Sequence, residues 1–547
     1  MAPAEGGLQV ARLDSDGSPG TVDWWSTADA AERMAEQERD RPRWVWADTR
    51  ALYAGVLLHS VRLERCSDLR LSHAILAGST YASVALPVEA DGPWAEGEAV
   101  ATDFEPTLLD RASGGAEISL EEVVVEHRRQ QQTVHAAQES GRLRLLLAAE
   151  SAGALIAAEM RHTGLPWSEQ IHDRQLTAAL GARPLCGGRP ARLEALVAQI
   201  REALVAPSLN PDSQSELLRA LRSHGVGADT TRQWELERLD HPVIEPLLEY
   251  KKLARLLSAN GWVWMSTWVR DGRFRPDYVP GGVVTGRWAT RGGGALQLPR
   301  QIRAAVTADP GHRLVVADAA QLEPRILAAM ARDEQMAKAS QGHDLYQALV
   351  DEQVVDTRAH AKVAMLGALY GATSGEAGHL MPRLVKVYPR ATGLVEQAAR
   401  CGERGEIVTT WLGRSSPPPS AGWHQVQRRA SEIDAGAGDQ RNARRQARDW
   451  GRFTRNFVVQ GTAAEWALCW MAGLRRRLRA MAGDAVGPEL VYFLHDEVIV
   501  HAPAALTDQV VSAVHEAADE AGRLMFGAFP VEFAITVACV DNYAQAK

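Results

Sequence analysis

Lysine is scarce in this 547-residue chain: six of its 60 cationic side chains are lysine and the rest are arginine. A GC-rich genome accounts for the arginine excess, whereas each lysine that persists invites a question about its role. Cysteine is scarce too. Cys66, Cys186, Cys401, Cys469 and Cys539 stand far apart with no CxxC pair, which argues against zinc sites and a disulfide framework. The chain also lacks long apolar runs. Leu145 to Ile156 is broken by Glu150, and nothing approaches the ~20 apolar residues of a spanning helix. The first thirty residues carry no basic-then-apolar secretion signal, so the expected location is the cytoplasm.

Apolar residues make up 46% and charged residues 23%, the composition of an ordinary globular protein rather than a disordered or fibrous one. At roughly 150 residues per domain the length predicts three to four structural units. The formal net charge of −8 looks wrong for a nucleic-acid binder, but local distribution is the better guide. Residues 1 to about 140 mix short apolar runs with Gly- and Glu-rich loops and read as a small α/β unit. From Gly141 the pattern turns helical, with helices expected over Leu143 to Met160, Ala191 to Leu204, Ser213 to Arg222 and Pro246 to Leu257. After about Trp262, strands alternate with helices. Ser415 to Ser420, with three consecutive prolines, reads as a loop.

Four constellations carry chemistry. In Arg313 to Met330, Leu314 to Ala317 has a buried-strand pattern, Asp318 falls at its end, and a helix starts at Leu322 with Pro324 tolerated in its first turn. Taken alone, Asp318 is explained as well by a cap or turn. In Val491 to Val500 two β-forming runs flank His495-Asp496-Glu497, a triplet expected at the exposed tip of a tight hairpin. A polar turn explains Asp496 but not two acids and a histidine where Gly or Asn is usual. Two such acids meeting in space would suit divalent cations, which need hard oxygen ligands. In Arg358 to Gly371, after Asp356-Thr357 as possible caps, Arg358, Lys362, Leu366 and Tyr370 form one drifting stripe. Cations lead and flat or apolar groups follow, an order that suits a nucleoside triphosphate along the helix, although an ordinary amphipathic helix reads the same way. Finally, Arg441, Arg444, Arg445, Arg448, Arg452 and Arg455 make a basic helical face with Asp449 as its one acid, followed by Asn456 and Gln460. Such a run repels itself unless a polyanion is near.

In this order and spacing the pieces resemble the motifs of family A DNA polymerases, the family of bacterial DNA polymerase I. Thr285-Gly286-Arg287, Leu296-Gln297-Leu298-Pro299, Gln460-Gly461-Thr462 and Glu249-Tyr250 with Leu253-Ala254 add to the likeness, which spans roughly residues 143–547. The resemblance implies an α+β right-hand polymerase fold of palm, fingers and thumb with a small N-terminal α/β exonuclease-like domain. The expected spans are 1–140 for a degenerate 3′–5′ exonuclease-like domain, 141–284 for thumb and connecting helices, 285–332 for the first part of the palm, 333–440 for shortened fingers and 441–547 for the second part of the palm. No 5′-nuclease domain is expected.

By the same resemblance Asp318 and Asp496 ligate two Mg²⁺ ions, for which Mn²⁺ can substitute, with the Ala319 carbonyl as a further ligand and Glu497 nearby. A primer 3′-hydroxyl attacks the α-phosphate of a dNTP and pyrophosphate leaves. Arg358 and Lys362 hold the triphosphate, and Lys362 protonates the pyrophosphate. Glu323 crowds the sugar 2′ position, Tyr370 closes the pocket, and Gln321 and Leu366 complete the nucleotide site. Arg287, Gln297, Arg445, Arg448, Arg452, Asn456 and Gln460 contact primer–template DNA, and His495 the primer terminus. The implied protein is a monomeric, nucleoid-associated enzyme of repair or gap filling, with no membrane partner.

Some residues depart from the family pattern. Leu366 stands where Phe or Tyr is usual, and Glu323-Pro324 replaces Glu-Leu. The Asp-X-Glu that opens an exonuclease site is missing: the strand Arg43 to Asp48 continues Asp48-Thr49-Arg50, and Asp103-Phe104-Glu105 lacks a preceding apolar strand. Proofreading is therefore expected to be absent. Two other readings stay open, a non-catalytic DNA-binding scaffold derived from a polymerase and a single-subunit RNA polymerase.

Overall fold

The computed structural model describes residues 1–83, 86, 93–94, 118–184, 187–292, 294, 298–341, 344–371, 375–482 and 487–546. Gln297 and the triplet Asp103-Phe104-Glu105 lie outside them. The chain divides into two compact units, one of Met1–Thr163, Asp277–Arg291 and Gly311–Cys539, the other of Gly164–Pro276, Gly292–Pro310 and Val540–Lys547.

The first unit begins with an antiparallel sheet of Ala2–Ala4, Gly7–Leu13 and Pro19–Ser26. A parallel pair follows, Arg43–Trp46 beside Arg65–Asp68. Each parallel strand runs into a helix whose N-terminal amides are satisfied by an aspartate: Asp48 caps Thr49–Leu57 and Asp68 caps Leu69–Gly78. Trp25, Trp44, Trp46 and Tyr53 fill the core behind these strands. The described residues of this stretch thus mix strands with helices, and they belong to the same compact unit as Gly311–Cys539.

The helix Ser140–Thr163 also belongs to the first unit and packs against the 46-residue helix Ala437–Ala482. At Gly153 an added Cβ would sit 2.7 Å from Leu468 Cδ2, so glycine is what allows this close approach. The central sheet has four strands in the order Glu489–Leu494, Glu497–Pro503, His312–Ala319, Ile535–Val540. Leu314, Val315, Val316 and Ala317 are all buried, as an uninterrupted apolar strand requires when both faces are covered. The helix Thr507–Phe526 covers part of it. Further helices of this unit include Leu120–Ala136, Leu322–Ala331, Arg358–Tyr370, Gly375–Val387, Pro389–Glu403 and Ala421–Ala430, and Ser415 to Ser420 is irregular as expected.

The second unit is mainly helical, with Ala191–Ala203, Gln214–Ser223 and Ile244–Asn260 close to the predicted spans and Glu169–Leu180 a helix that was not expected. Ser213 turns out to be the cap of its helix, accepting from the Glu216 amide. Its aromatic core sets Trp167 against His172, Trp264 and Phe274 at centroid distances of 5.3–5.7 Å. Among the described residues no helix is long and apolar enough to cross a membrane.

Candidate active site

The two acids separated in sequence meet at joined strand ends. Asp318 stands directly opposite Glu497, the first residue of its strand. Such partners have Cα atoms ~4.5–5.5 Å apart and side chains on one face of the sheet. One step further, the Ala319 amide donates to the Asp496 carbonyl at 3.0 Å. Asp318 and Asp496 are both partly exposed.

The triplet does not sit at the tip as a unit. His495 and Asp496 alone form the loop, because Leu494 already pairs with Glu497. Glu497 is 2% exposed, a strand residue flanked by neighbours on both sides. His495 takes φ 59° and Gln321, just past Asp318, takes φ 53°, a region that a β-carbon opposes. Left-handed non-glycine residues thus stand on both sides of the acidic pair. The hairpin is pinned from behind: the Tyr278 hydroxyl donates to the Phe493 carbonyl at 2.8 Å and accepts from the Phe493 amide at 3.1 Å. Arg325, fully buried, donates to the carbonyls of Ala320 at 2.9 Å and Glu532 at 2.6 Å, fixing the turn after Asp318.

Glu323 gathers two of the expected residues. It forms an ion pair with Arg287 and accepts from the Tyr370 hydroxyl at 2.7 Å. Burial and the Glu323 carboxylate push the Tyr370 phenol up to about 12, against the pull of the Arg287 cation and the Gln460 amide. Burial, with the Arg287 cation beside it, lowers the His495 imidazole below its ordinary value. His495 is therefore neutral at pH 7 and able to accept or donate a hydrogen bond.

The helix Arg358–Tyr370 begins as predicted, with Thr357 Oγ1 accepting from the His360 amide at 3.2 Å. Arg358 and Lys362 are exposed, Leu366 is half-buried, and Ala361, Ala364, Met365 and Ala368 bury the opposite face. The Tyr370–Glu323 bond ties the helix's C-terminal end to the segment that follows Asp318. A residue not singled out by sequence ties its other end: Asp344 accepts from Arg358 Nε at 2.6 Å and from Gln321 Nε2 at 2.8 Å. Nothing in the sequence around it marks Asp344 as more than a helix cap, a role it also fills.

On the long helix, Arg441, Arg444, Arg445, Arg448 and Arg452 are exposed. Arg445 donates to Asn442 at 2.8 Å and Arg452 pairs with Asp449. Arg455 departs from the expected basic face. It is buried, donates to the Ala368 carbonyl at 2.8 Å and pairs with Glu396. The face is continuous, but its surroundings change as the helix runs under Arg358–Tyr370 and Pro389–Glu403. Asn456 is half-buried, and its Oδ1 has no hydrogen-bond partner among the described residues.

Two carboxylates and a carbonyl fit a hard cation such as Mg²⁺, which keeps several waters and shares itself with substrate phosphates. Among the described residues no group of three or more His, Cys, Asp or Glu is arranged to hold a metal.

The strand-end carboxylates thus lie beside a segment that Glu323 and Asp344 tie to both ends of the helix Arg358–Tyr370. The sequence profile of DNA polymerase family A matches residues 190–545, and the chain belongs to that family. It is 28% identical over 349 residues to DNA polymerase I of Chloroflexus aurantiacus, covering 56% of this chain and 34% of that protein. With the thermostable DNA polymerase I of Thermus aquaticus it shares 26% over 444 residues, covering 70% and 49%. The chain thus spans about a third to a half of the length of these relatives. Its fold is similar to that of the POL domain of Pol1 from M. smegmatis, solved with DNA primer-template and dNTP, at a TM-score of 0.67 and 17% identity over 98% of this chain and 92% of that one.

Proposed function

We propose that this chain is a template-directed DNA polymerase that adds deoxynucleotides to a primer 3′ end by two-metal phosphoryl transfer, in repair or gap filling. The observation that carries the reading is the meeting of Asp318 with Asp496 and Glu497, bonded through Glu323 and Asp344 to both ends of the helix bearing Arg358 and Lys362. The family is generally dependent on divalent metal. Asp318, Asp496 and the Ala319 carbonyl would hold the ions, whose charge would stabilise the attacking and leaving oxygens.

The remaining work falls to the chain itself. Arg358 and Lys362 bind the triphosphate, and Lys362 gives a proton to the departing pyrophosphate. Glu323, fixed by Arg287 and Tyr370, fills the space beside the sugar 2′ carbon, while Gln321 and Leu366 line the nucleotide. Arg287, Asn456 and Gln460 read the minor groove, Arg445, Arg448 and Arg452 meet phosphates, Gln297 touches the duplex, and neutral His495 meets the primer terminus. The partners are primed DNA and dNTPs, bound by a monomer in the cytoplasm near the nucleoid.

We read residues 1–140 as a degenerate exonuclease-like domain without proofreading. Its strand-end acids are committed to structure: Asp48 caps a helix and pairs with Arg70 at 3.1 Å, and Asp68 is buried, accepting from the Thr49 and Leu71 amides. Shortening of a single strand from its 3′ end without dNTPs would overturn that part.

Primer extension by wild type and Asp318→Ala tests the whole. Mg²⁺-dependent extension is expected to fall by about 10³-fold or more in the variant, since a metal ligand and its charge are lost. Equal extension by both proteins would discard the site.

A further inference from the structure

Asp344 N-caps the short helix Leu345–Asp351, its Oδ1 accepting from the Tyr346 amide at 3.0 Å and the Gln347 amide at 3.2 Å. Capping alone explains neither of its other bonds. Gln321 Nε2 donates to the same oxygen at 2.8 Å, while Gln321 Oε1 accepts from the Leu345 amide at 2.8 Å. The amide of Gln321 is thereby fixed at both ends, three residues beyond Asp318. The second carboxylate oxygen takes Arg358 Nε at 2.6 Å. Although burial works to raise the Asp344 pKa, these donors hold it below its ordinary value, so it carries its charge at neutral pH.

How Arg358 is gripped matters as much as by what. The guanidinium is bound through Nε, and its terminal amines make no hydrogen bond among the described residues. The Tyr346 ring flanks it, 5.7 Å from Cζ. A guanidinium held by its inner nitrogen has lost the freedom to swing, yet still offers Nη1 and Nη2 as a planar fork, the geometry that engages phosphate oxygens two at a time. A carboxylate that gripped the fork itself would compete with phosphate, whereas one that takes Nε aims it.

We propose that Asp344 is the positioning residue of the triphosphate clamp: it aims Arg358 at the phosphates and, through Gln321, sets that aim relative to the strand end bearing Asp318. The proposal rests on the polymerase reading and deepens it. Asp344 touches no reacting atom and acts through Arg358.

The test uses the full chain and four proteins: wild type, Asp344→Asn, Arg358→Ala and the double variant. Asparagine keeps an oxygen for the helix cap but offers Arg358 no anionic partner. Should Asp344→Asn not fold, Asp344→Ser, another capping residue, replaces it. In single-nucleotide incorporation on primed DNA, Asp344→Asn is expected to raise the KM for dNTP about tenfold and leave kcat within about threefold. In the Arg358→Ala background it should add nothing. An equal KM increase in that background, an unchanged KM, or a fall in KM showing that Asp344 sequesters Arg358 would each overturn the proposal. Calorimetric titration of the same four proteins with dATP and Mg²⁺ separates the two claims. Binding by wild type without extension would sink the polymerase reading, and the pattern of Kd values would then decide the positioning role. No binding at all would sink both.

Discussion

Neutralising Glu159 should destabilise the protein more than removing Glu159 and its partner together. Glu159 and Arg475 are each 6% exposed. Arg475 Nε and Nη2 grip the two carboxylate oxygens at 2.7 Å each, Nη1 donates to the Glu64 carbonyl at 3.0 Å, Nη2 also reaches the Leu63 carbonyl, and the Tyr53 hydroxyl donates to Glu159 at 2.5 Å. Burial opposes both charges, but the pairing outweighs it, leaving Glu159 below and Arg475 above their ordinary values. Glu159→Gln strands a buried guanidinium, at a cost of about 3–5 kcal/mol. Glu159→Leu with Arg475→Met removes both charges. Only the bonds to two carbonyls and one hydroxyl then go unmade, for an expected loss of no more than about 2 kcal/mol. Urea unfolding followed by tryptophan fluorescence measures both. Because the Glu159 pKa is depressed on folding, its contribution is present above the unfolded value near 4.5 and fades as pH falls through the folded value. Glu159→Gln should lose that acid-side slope. A double variant as unstable as the single one would refute the reasoning.

Two further outcomes follow from single side chains. Glu323→Ala removes the group proposed to sit beside the sugar and frees Arg287 and Tyr370, so incorporation of ribonucleotides relative to deoxynucleotides should rise by at least about tenfold; an unchanged ratio would remove Glu323 from the sugar gate and favour the RNA polymerase reading. His172 is fully buried with Nε2 against the Asn260 carbonyl at 2.9 Å, and burial lowers its pKa to about 4. Its neutral form is favoured by folding, so stability is complete above the unfolded value of 6.5 and declines toward pH 4 by up to about 3 kcal/mol. His172→Phe should flatten the urea midpoint between pH 4.5 and 7, and parallel curves for the two proteins would disprove the assignment.

The acids were legible because their signal is local: an apolar strand interrupted by charge at its end reads the same in any fold. The helix Arg358–Tyr370 was legible for the same reason, through its cap and stripe. What escaped depends on partners remote in sequence. Arg455 looks like Arg452 until Glu396 and the Ala368 carbonyl arrive from elsewhere. Glu497 was assigned to a turn because sequence does not disclose that Leu494 and Asp318 both pair with it. Tyr278 and Asp344 carry no motif at all, since a tyrosine bonding a strand 215 positions away and an aspartate beyond its cap are specified only by tertiary structure. The first 140 residues were legible as α/β because Arg43 to Asp48 reads as a strand, whereas the three-stranded sheet before it was not foreseen, its outer strand Pro19–Ser26 being largely exposed and so showing little apolar alternation.

The left-handed conformations of His495 and Gln321 store backbone strain on both sides of the acidic pair. Each costs on the order of 1–2 kcal/mol, and the two are held in place by the Tyr278 hydroxyl behind the hairpin and by the Asp344 and Leu345 bonds to Gln321. Cutting those tethers should release the two peptides while the strands themselves stay paired. Loss of chemistry would then precede loss of circular dichroism, and a protein that still looks native could already be inert.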